Sequence, residues 1–246
     1  MSSTMDNVTI FTYTHENCID IWEPYLDSLD KYATEIPSIV VVNEDYENHG
    51  RHKFRVYDDT KNYCDEYVRC LRDNVDTKYF IYMQEDFILY DRVNMEAIQR
   101  YLNFLEEGTA SFVRLIRCGD VSNVHLKDDL YWITDPSKTH ASVNCFSMQP
   151  TIWNREHFIN LYEAARCERF GEFPAYTQNM NRMGIRGVYT YNNEPMRKNS
   201  LHYDTSVFPY IATAIVQRKW NITEYGDELN LIFEKYDIDP SLRGSR

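Results

Sequence analysis

Two adjacent carboxylates follow an apolar run in the stretch YFIYMQEDFILYD, residues 79–91. The run 79–83 is typical of a buried strand, and Glu85 and Asp86 come directly after Gln84. Burying an unpaired carboxylate is costly, and two adjacent carboxylates repel each other. Carboxylates at the end of a strand are, however, well placed to present oxygen ligands to Mg²⁺ or Mn²⁺. The pattern favours a cation site at Asp86; the alternative is that the acids are solvated or paired with arginine.

A second group of polar residues ends the first predicted strand, 7–14, where Thr12, Tyr13 and Thr14 follow one another. In a parallel sheet this position faces the ligand. Tyr13 is therefore suited to stack on a nucleotide base, and Thr12 to hydrogen-bond the edge of that base. The alternative is that Thr14 or Asn17 caps the helix that follows.

Asp58 and Asp59 end a third predicted strand, 51–59, and are candidates for contacts with a base or a ribose. Asp-Asp-Thr is also an ordinary turn sequence. Arg69 lies in a predicted helix before Glu85 and Asp86, which we call the acidic pair, and would face the ligand end of the sheet. It is a candidate partner for Asp86 or for a phosphate.

The elements that must position these residues alternate between strand and helix in the first half of the chain. Strands are predicted at 7–14, 37–43, 51–59 and 79–83, and helical spacing of apolar residues predicts helices at 19–32, 63–71 and 93–105. Such alternation predicts an α/β fold with right-handed crossovers and a parallel sheet, which binds ligands beyond the carboxyl ends of its strands. The acidic pair occupies such an end.

The second half is more mixed. Strands are predicted at 111–119, 130–134, 145–153 and 184–191, and helices after Asn154, at 206–218 and at 224–236. No internal repeat and no low-complexity linker interrupts the sequence. One domain, 1–246, with a C-terminal helical extension is therefore the simplest organisation.

The charge and the cysteines limit the classes of partner and compartment. The net charge of −12, with no basic stripe, argues against nucleic acid, and a phosphate ligand would need a divalent cation to attract it. The six cysteines show no CxxC pair and are expected to be free thiols. No signal peptide and no apolar stretch of about 18 residues is found. We therefore expect a soluble, cytoplasmic protein without a membrane span.

Several stretches together resemble the glycosyltransferases of the GT-A fold. An apolar strand followed by a short acidic motif resembles their DxD region, with Gln84 where a first Asp is usual. FSMQPTIW (146–153), followed by Gly171-Glu172-Phe173, looks like the SLQPAIW…WEFE segment of small viral and bacterial members. The tail, 208–221 and 236–244, is also similar to theirs, so that the likeness covers most of the chain.

This resemblance implies a Rossmann-like, mainly parallel sheet flanked by helices. It implies a nucleotide-binding half (1–110), an acceptor-side half (111–205) and C-terminal helices (206–246). The donor would be a nucleoside-diphosphate sugar, the acceptor a glycan or another hydroxyl compound, and the metal Mn²⁺ or Mg²⁺. The reaction would be a metal-assisted, inverting transfer of the sugar.

The resemblance also implies roles for particular residues. Asp86 would hold the cation, and Glu85 would contact ribose or phosphate. Glu172, which is expected to begin a helix between Gly171 and Pro174, would be the base that deprotonates the acceptor. His202 would be a further metal or phosphate ligand. The alternatives are an ordinary glutamate in a first helical turn and a surface histidine.

Two other protein classes stay open at this point. The first is a nucleotide- or carbohydrate-binding module of the same fold without catalysis, which the departure at Gln84 keeps open. The second is a nucleotidyltransferase, which normally has a glycine-rich basic loop that is not visible near the first strand. Trp132 and Trp153 would either line an acceptor groove or belong to the core, and for tryptophan in apolar surroundings the core is the commoner place.

Overall fold

A large mixed sheet runs through the centre of the computed structural model, which describes residues 7–138, 145–198 and 200–245. The strands are β1 (Val8–Tyr13), β2 (Ser38–Val42), β3 (His52–Val56), β4 (Tyr79–Met83), β5 (Phe112–Arg114), β6 (His125–Lys127), β7 (Leu130–Trp132), β8 (Thr151–Asn154), β9 (Gly187–Thr190), β10 (Ile215–Val216) and β11 (Lys219–Trp220). The helices are α1 (Ile19–Tyr32), α2 (Tyr63–Asn74), α3 (Met95–Glu106), α4 (Arg155–Ala165), α5 (Phe173–Met183) and α6 (Ile222–Tyr236), with short 3-10 turns at Glu16–Cys18 and Pro240–Leu242.

Within the described residues, the central sheet has nine strands in the order β3-β2-β1-β4-β8-β5-β9-β7-β6. The strands β3, β2, β1 and β4 are parallel to one another, as the alternating pattern of the first half predicts. On the other side of β4, the strands β8 and β7 run against the direction of the rest. The predicted α/β class, with a mainly parallel central sheet flanked by helices, is confirmed.

The register across β8 brings the ends of two parallel-running strands to the same edge. Thr151 of β8 lies opposite Tyr82 of β4 and also opposite Arg114 of β5. Directly opposed residues point to the same face of a sheet. Arg114 therefore lies level with the end of β4, close to where the acidic pair follows.

Helices cover both faces of the parallel half. The ring of Phe11 contacts Tyr67 of α2 on one face, with centroids 5.4 Å apart. On the other face, the hydroxyl of Thr12 lies 2.6 Å from that of Tyr25 in α1. Successive residues of β1 thus contact helices on opposite sides, which is the alternation expected of a strand buried on both faces.

Asparagine side chains begin three of the helices. Asn62 Oδ1 accepts the backbone N–H of Asp65 (3.3 Å), Asn94 that of Ala97 (3.0 Å) and Asn154 that of His157 (3.1 Å). Each cap satisfies a donor that the first helical turn leaves free. The predicted start of a helix at Asn154 is confirmed. None of the helices among the described residues has the length and apolar character that crossing a membrane requires.

The helix predicted at 206–218 is wrong. Residues 207–212 of this segment are buried along the chain that follows β4: the N–H of Ile211 donates to the carbonyl of Ile88 (2.9 Å), and Tyr210 forms a bridge with Leu89. A proline at 209 removes one helical donor, and the chain beyond it pairs with the segment that follows β4. The apolar spacing there therefore reflects burial, and the C-terminal extension contains α6 together with the β10–β11 hairpin.

We expect Gly187→Ala to destabilise the protein by about 1–3 kcal/mol, because an added Cβ would lie 2.0 Å from Cζ of Phe112 on the neighbouring strand. Denaturant unfolding measures the loss. Gly226→Ala is the control, since its Cβ would come no closer than 3.2 Å to another residue, at Cγ2 of Ile222. The double variant Gly187→Ala/Phe112→Leu should lose less than the sum of the single losses. Strict additivity would contradict the predicted clash.

Candidate functional site

The acidic pair lies just beyond the C-terminal end of β4. A hydrogen bond from the N–H of Phe87 to the carbonyl of Gln84 (3.2 Å) closes the turn that carries it. Asp86 is 8% exposed, and its Oδ2 accepts the backbone N–H of Ile215 at 3.4 Å. The segment that sequence analysis assigned to a helix thus packs over the carboxylate and buries it.

The buried carboxylate of Asp86 is poorly neutralised by the protein itself. Burial and the nearby charge of Glu85 raise its pKa from 3.8 to about 8. Arg243 is close enough for its charge to lower that pKa in part, but its guanidinium forms an ion pair with Asp20. Among the described residues, no Lys, Arg or His forms an ion pair with either member of the acidic pair. An additional positive charge would therefore be stabilised here.

The acidic pair could hold a divalent cation whose remaining coordination positions are filled by water and by a ligand. Within the part of the chain that the structure describes, no three His, Cys, Asp or Glu side chains come together as a complete metal site. Mg²⁺, however, is usually held by one or two carboxylates, with water and substrate phosphates completing its shell. Glu85 and Asp86 provide such a set of oxygen donors.

A cavity of about 470 Å³, which we call the aromatic cavity, opens beside the acidic pair. Its lining combines several aromatic rings with oxygen-bearing side chains and two cationic ones: Tyr13, Tyr57, Tyr63, Tyr82, Phe170, Thr14, Asp58, Asp59, Glu85, Lys61 and Arg169. The structure therefore brings Tyr13, Thr14, Asp58 and Glu85 to one cavity. Of the two carboxylates in the acidic pair, Glu85 lines this cavity and the more buried Asp86 does not.

Tyr13 is less free to stack on a base than the sequence predicts. Its ring is stacked with Tyr57 (centroids 4.3 Å apart) and with Tyr67 (4.8 Å). The hydroxyl of Thr14 accepts the indole N–H of Trp22 at 3.0 Å, so it does not cap the next helix; His15 fills that place by accepting the N–H of Asn17. The aromatic face of this cavity is thus built by several tyrosines together.

Thr12 is not at the cavity, which corrects its predicted contact with a base. It is fully buried, and its hydroxyl is hydrogen-bonded to Tyr25 on the opposite face of the sheet. Because successive side chains of β1 point to opposite faces of the sheet, Thr12 points away from the face on which Tyr13 lies.

Arg69 is also placed differently from the prediction. Its guanidinium donates to Glu66 Oε1 and Oε2 and forms an ion pair with Asp73 (3.0 Å), and it does not pair with Asp86. Carboxylates three before and four after it on α2 lie within reach of the same side chain. Glu66 in turn accepts the N–H of Asp58 at 2.7 Å. Arg69 therefore acts on the cavity indirectly, by holding the glutamate that fixes Asp58.

Asp58 is held as a carboxylate at the mouth of the aromatic cavity. Its Oδ1 accepts the hydroxyl (2.6 Å) and the N–H (3.0 Å) of Thr60, and these hydrogen bonds hold its pKa below the usual range. Asp59 lies next to it, 3.7 Å from the ring of His15. Both carboxylates line the aromatic cavity, so the predicted contact of this pair with a base or a ribose stays a prediction.

A larger cavity of about 740 Å³, which we call the arginine cavity, is lined by Arg114, Ser147, Phe173, His202 and Glu224 among others. The ring Nδ1 of His202 lies 2.9 Å from Glu224 Oε1 and 3.0 Å from the hydroxyl of Ser200. Burial by itself would raise the pKa of Glu224, but hydrogen bonds from His202 and Ser200 bring it below its usual range. A ligand entering this cavity would meet the other ring nitrogen of His202.

Glu172 lies on the short segment that leads from one cavity to the other. Phe170 lines the aromatic cavity and Phe173 lines the arginine cavity, and their rings are 6.4 Å apart. Glu172 caps α5 without a side-chain hydrogen bond to that helix and is exposed, so the predicted helix start is confirmed. Among the described residues, its carboxylate forms no ion pair.

Sequence reasoning missed Arg114 and Glu224. Arg114 carried a signal, since a charge stands inside the apolar strand SFVRLI, whereas Glu224 lies in an ordinary first helical turn. Trp153 is 2% exposed and stacked on Phe112 (4.1 Å), so it belongs to the core. Trp132 lines a small pocket of about 70 Å³ away from both cavities.

Comparisons with known proteins give distant structural likenesses. No family model and no curated protein matches the chain. A mannosyltransferase from Pyrobaculum calidifontis in complex with GDP-Man and Mn²⁺ is similar at 14% identity, with a TM-score of 0.48; the match covers 78% of this chain and only 58% of that one. A cytidylyltransferase from Leptospira borgpetersenii is similar at 12% identity, with a TM-score of 0.49 and coverage of 96% and 97%. Both are transferases.

We expect Asp86→Asn to stabilise the metal-free protein at alkaline pH. Because the pKa of Asp86 is raised on folding, its carboxyl group stabilises the folded state when it is protonated. This contribution to the free energy of unfolding is fully present below about pH 3.8 and is lost as the pH rises through about 8. The amide removes this loss. At pH 9 in EDTA, the Tm of the variant should exceed that of wild type by about 2–4 °C or more.

The matched control is Asp58→Asn. The pKa of Asp58 is lowered on folding, so its contribution is present above its unfolded pKa and is lost only as the pH falls through its folded pKa. This variant should gain nothing at pH 9. Parallel pH profiles for wild type and Asp86→Asn would contradict the assignment of a costly buried charge to Asp86.

Proposed function

We propose that this protein is a glycosyltransferase that moves a sugar from a nucleoside-diphosphate donor to a hydroxyl acceptor with the help of a divalent cation. The observation that carries the proposal is the acidic pair, which has no ion-pair partner among the described residues and lies beside the aromatic cavity. Ligands of parallel α/β sheets bind at this edge. A diphosphate supplies the negative charge that a cation on these carboxylates would bridge.

The aromatic cavity is the proposed place of the nucleoside. Its tyrosine rings offer flat apolar surface, and Asp58 offers a fixed acceptor for the ribose hydroxyls. The net charge of −12 would repel a diphosphate. The attraction must therefore be local, which is why the acidic pair is proposed to act through a cation rather than directly.

The proposed chemistry is a single displacement. When bound, Mn²⁺ or Mg²⁺ would neutralise the leaving diphosphate; Asp86 and Glu85 are the residues that would hold it. Glu172 would accept the proton of the acceptor hydroxyl. The hydroxyl oxygen then bonds to the anomeric carbon while the bond from that carbon to the diphosphate breaks, and the nucleoside diphosphate leaves with the electron pair. Attack opposite the leaving group inverts the configuration.

Glu172 is proposed as the base because the segment 170–173, which carries it, joins the cavities that would hold the two substrates, although Glu172 itself lines neither of them. His202 is proposed as a further ligand of phosphate or metal. Its Nδ1 is occupied by Glu224 and Ser200, so Nε2 would meet the ligand. A carboxylate on the far ring nitrogen orients a histidine for such contacts.

We expect one nucleoside diphosphate among UDP, GDP and TDP to raise the Tm in the presence of Mn²⁺ and much less in EDTA. At about 100 times its Kd, a ligand adds about 2.7 kcal/mol of stability. Thermal-shift assays measure this, and Asp86→Asn should abolish the dependence on Mn²⁺. Equal shifts with Mn²⁺ and with EDTA would contradict a cation at the acidic pair.

We expect Glu172→Gln to lower kcat by about 10²–10⁴-fold while nucleotide affinity stays unchanged, because only the proton acceptor is removed. Release of nucleoside diphosphate from donor and acceptor measures the rate. Glu163→Gln is the control, since Glu163 lies on the surface of α4 in an ion pair with Arg72. Full activity of Glu172→Gln would exclude it as the base. Nucleotide binding without release by wild type, over a panel of acceptors, would identify a binding module instead.

A further inference from the structure

Arg114 is a buried cation without a buried counter-charge. Its side chain is 2% exposed at the end of β5, and its Nη1 donates to Cys118 Sγ (3.1 Å) and Ser147 Oγ (3.2 Å). Nε and Nη2 have no hydrogen-bond partner among the described residues. No described Asp or Glu forms an ion pair with this guanidinium. Both partners of Nη1 are neutral, so the charge is left uncompensated.

An uncompensated buried charge is among the most expensive features that a fold can contain. The guanidinium of arginine is a permanent cation with donors only, so it can be compensated only by an anion. A guanidinium in such a place normally faces a carboxylate or a phosphate, which its planar array of donors binds through two parallel hydrogen bonds. The missing anion is therefore expected to come from outside the chain.

Arg114 is among the residues that line the arginine cavity. Glu224 is an acidic residue in the cavity lining, and its carboxylate already accepts hydrogen bonds from Ser200, His202 and Asn221. It is thus held by other partners and, among the described residues, forms no ion pair with Arg114. A volume of about 740 Å³ is ample for a sugar residue that carries a charged group.

The position of the cavity relates it to the acceptor rather than to the nucleoside. Val216 lines the arginine cavity, and its neighbour Ile215 holds Asp86 through the backbone. The aromatic cavity has a separate lining and meets the acidic pair through Glu85. Glu172 stands on the segment between the two cavities. The acidic pair is therefore flanked by two distinct spaces.

We propose that the arginine cavity binds an acceptor that carries an anionic group, a carboxylate or a phosphate, and that Arg114 recognises this group. The assignment of this ligand as the acceptor rests on the proposed glycosyltransferase function. The anion site itself follows from the buried guanidinium and its cavity. Arg114 is in this view a specificity residue, which selects acidic sugars over neutral ones.

The test is direct binding, measured by titration calorimetry in EDTA so that no cation can recruit the ligand to the acidic pair. The probes are glucuronate and glucose 6-phosphate, with glucose as the neutral counterpart; the two charged probes distinguish a carboxylate from a phosphate. Wild type should bind at least one of them, and Arg114→Met should bind it about 30-fold more weakly or worse. Equal affinity for charged and neutral sugars would overturn the proposal, and so would undiminished binding by Arg114→Met.

Arg117→Gln is the matched control for charge. Arg117 is three residues further along, donates to Asn123 (2.8 Å) and stacks over Tyr191 and Tyr203 without lining the cavity. This variant should keep the affinity for the charged probe. A loss equal to that of Arg114→Met would show a general electrostatic effect and overturn the proposal.

Stability separates a recognition residue from a structural one. Without ligand, Arg114→Met should unfold at the same temperature as wild type or higher, because an apolar side chain replaces an unpaired buried charge. A large fall in Tm would make Arg114 structural and overturn the proposal. Nucleotide binding with Mn²⁺ is measured separately in the wild-type protein: its absence would refute the proposed donor site while leaving the anion site standing.

Discussion

The electrostatic repulsion between Glu85 and Asp86 is the constraint on which the rest of the site depends. A strand that is buried along its whole length delivers both carboxylates to one edge, and the chain beyond them covers Asp86. The protein supplies a backbone N–H and a distant guanidinium, which offset only part of the cost. In the proposed function, this charge arrangement would become favourable when a cation and a phosphate bind. Such preorganisation is what a purely structural core avoids.

The covering of Asp86 also explains why residues distant in sequence meet at this edge. The extended segment before the β10–β11 hairpin pairs with the chain that follows β4 and brings Ile215 to the carboxylate. The tail then brings Arg243 to Asp20, near the same site. The C-terminal part of the chain is therefore part of the site and not an appendage to it. A change in either segment would alter the environment of Asp86 without touching a ligand.

Local signals in the sequence were sufficient for the parallel half of the fold. The apolar runs that form β1, β2 and β4 are continuous because both faces are covered, and Asn154 marks its helix by chemistry that acts within one turn. The helix predicted at 206–218 was wrong because apolar spacing indicates burial and not a helix as such. The proline in this segment and the pairing with the chain after β4 determine its conformation. The predicted contact of Thr12 with a base was wrong because successive residues of a strand face opposite sides of the sheet. The predicted pairing of Arg69 with Asp86 was wrong because two carboxylates on its own helix bind its guanidinium. Glu224 depends on contacts across the fold that no local pattern encodes.

Arg114 and the acidic pair carry opposite charges, and neither has an ion-pair partner among the described residues. The register through Thr151 sets them near one edge of the sheet, yet the protein does not pair them with each other. Two such groups that neutralised each other would stabilise the fold and leave nothing for a ligand. Kept apart, each retains an unfulfilled interaction of defined sign: in the proposed function the carboxylates would attract a cation and through it a diphosphate, and the guanidinium would attract an anion directly. The separation of charges at this edge would therefore give the two cavities different ligands.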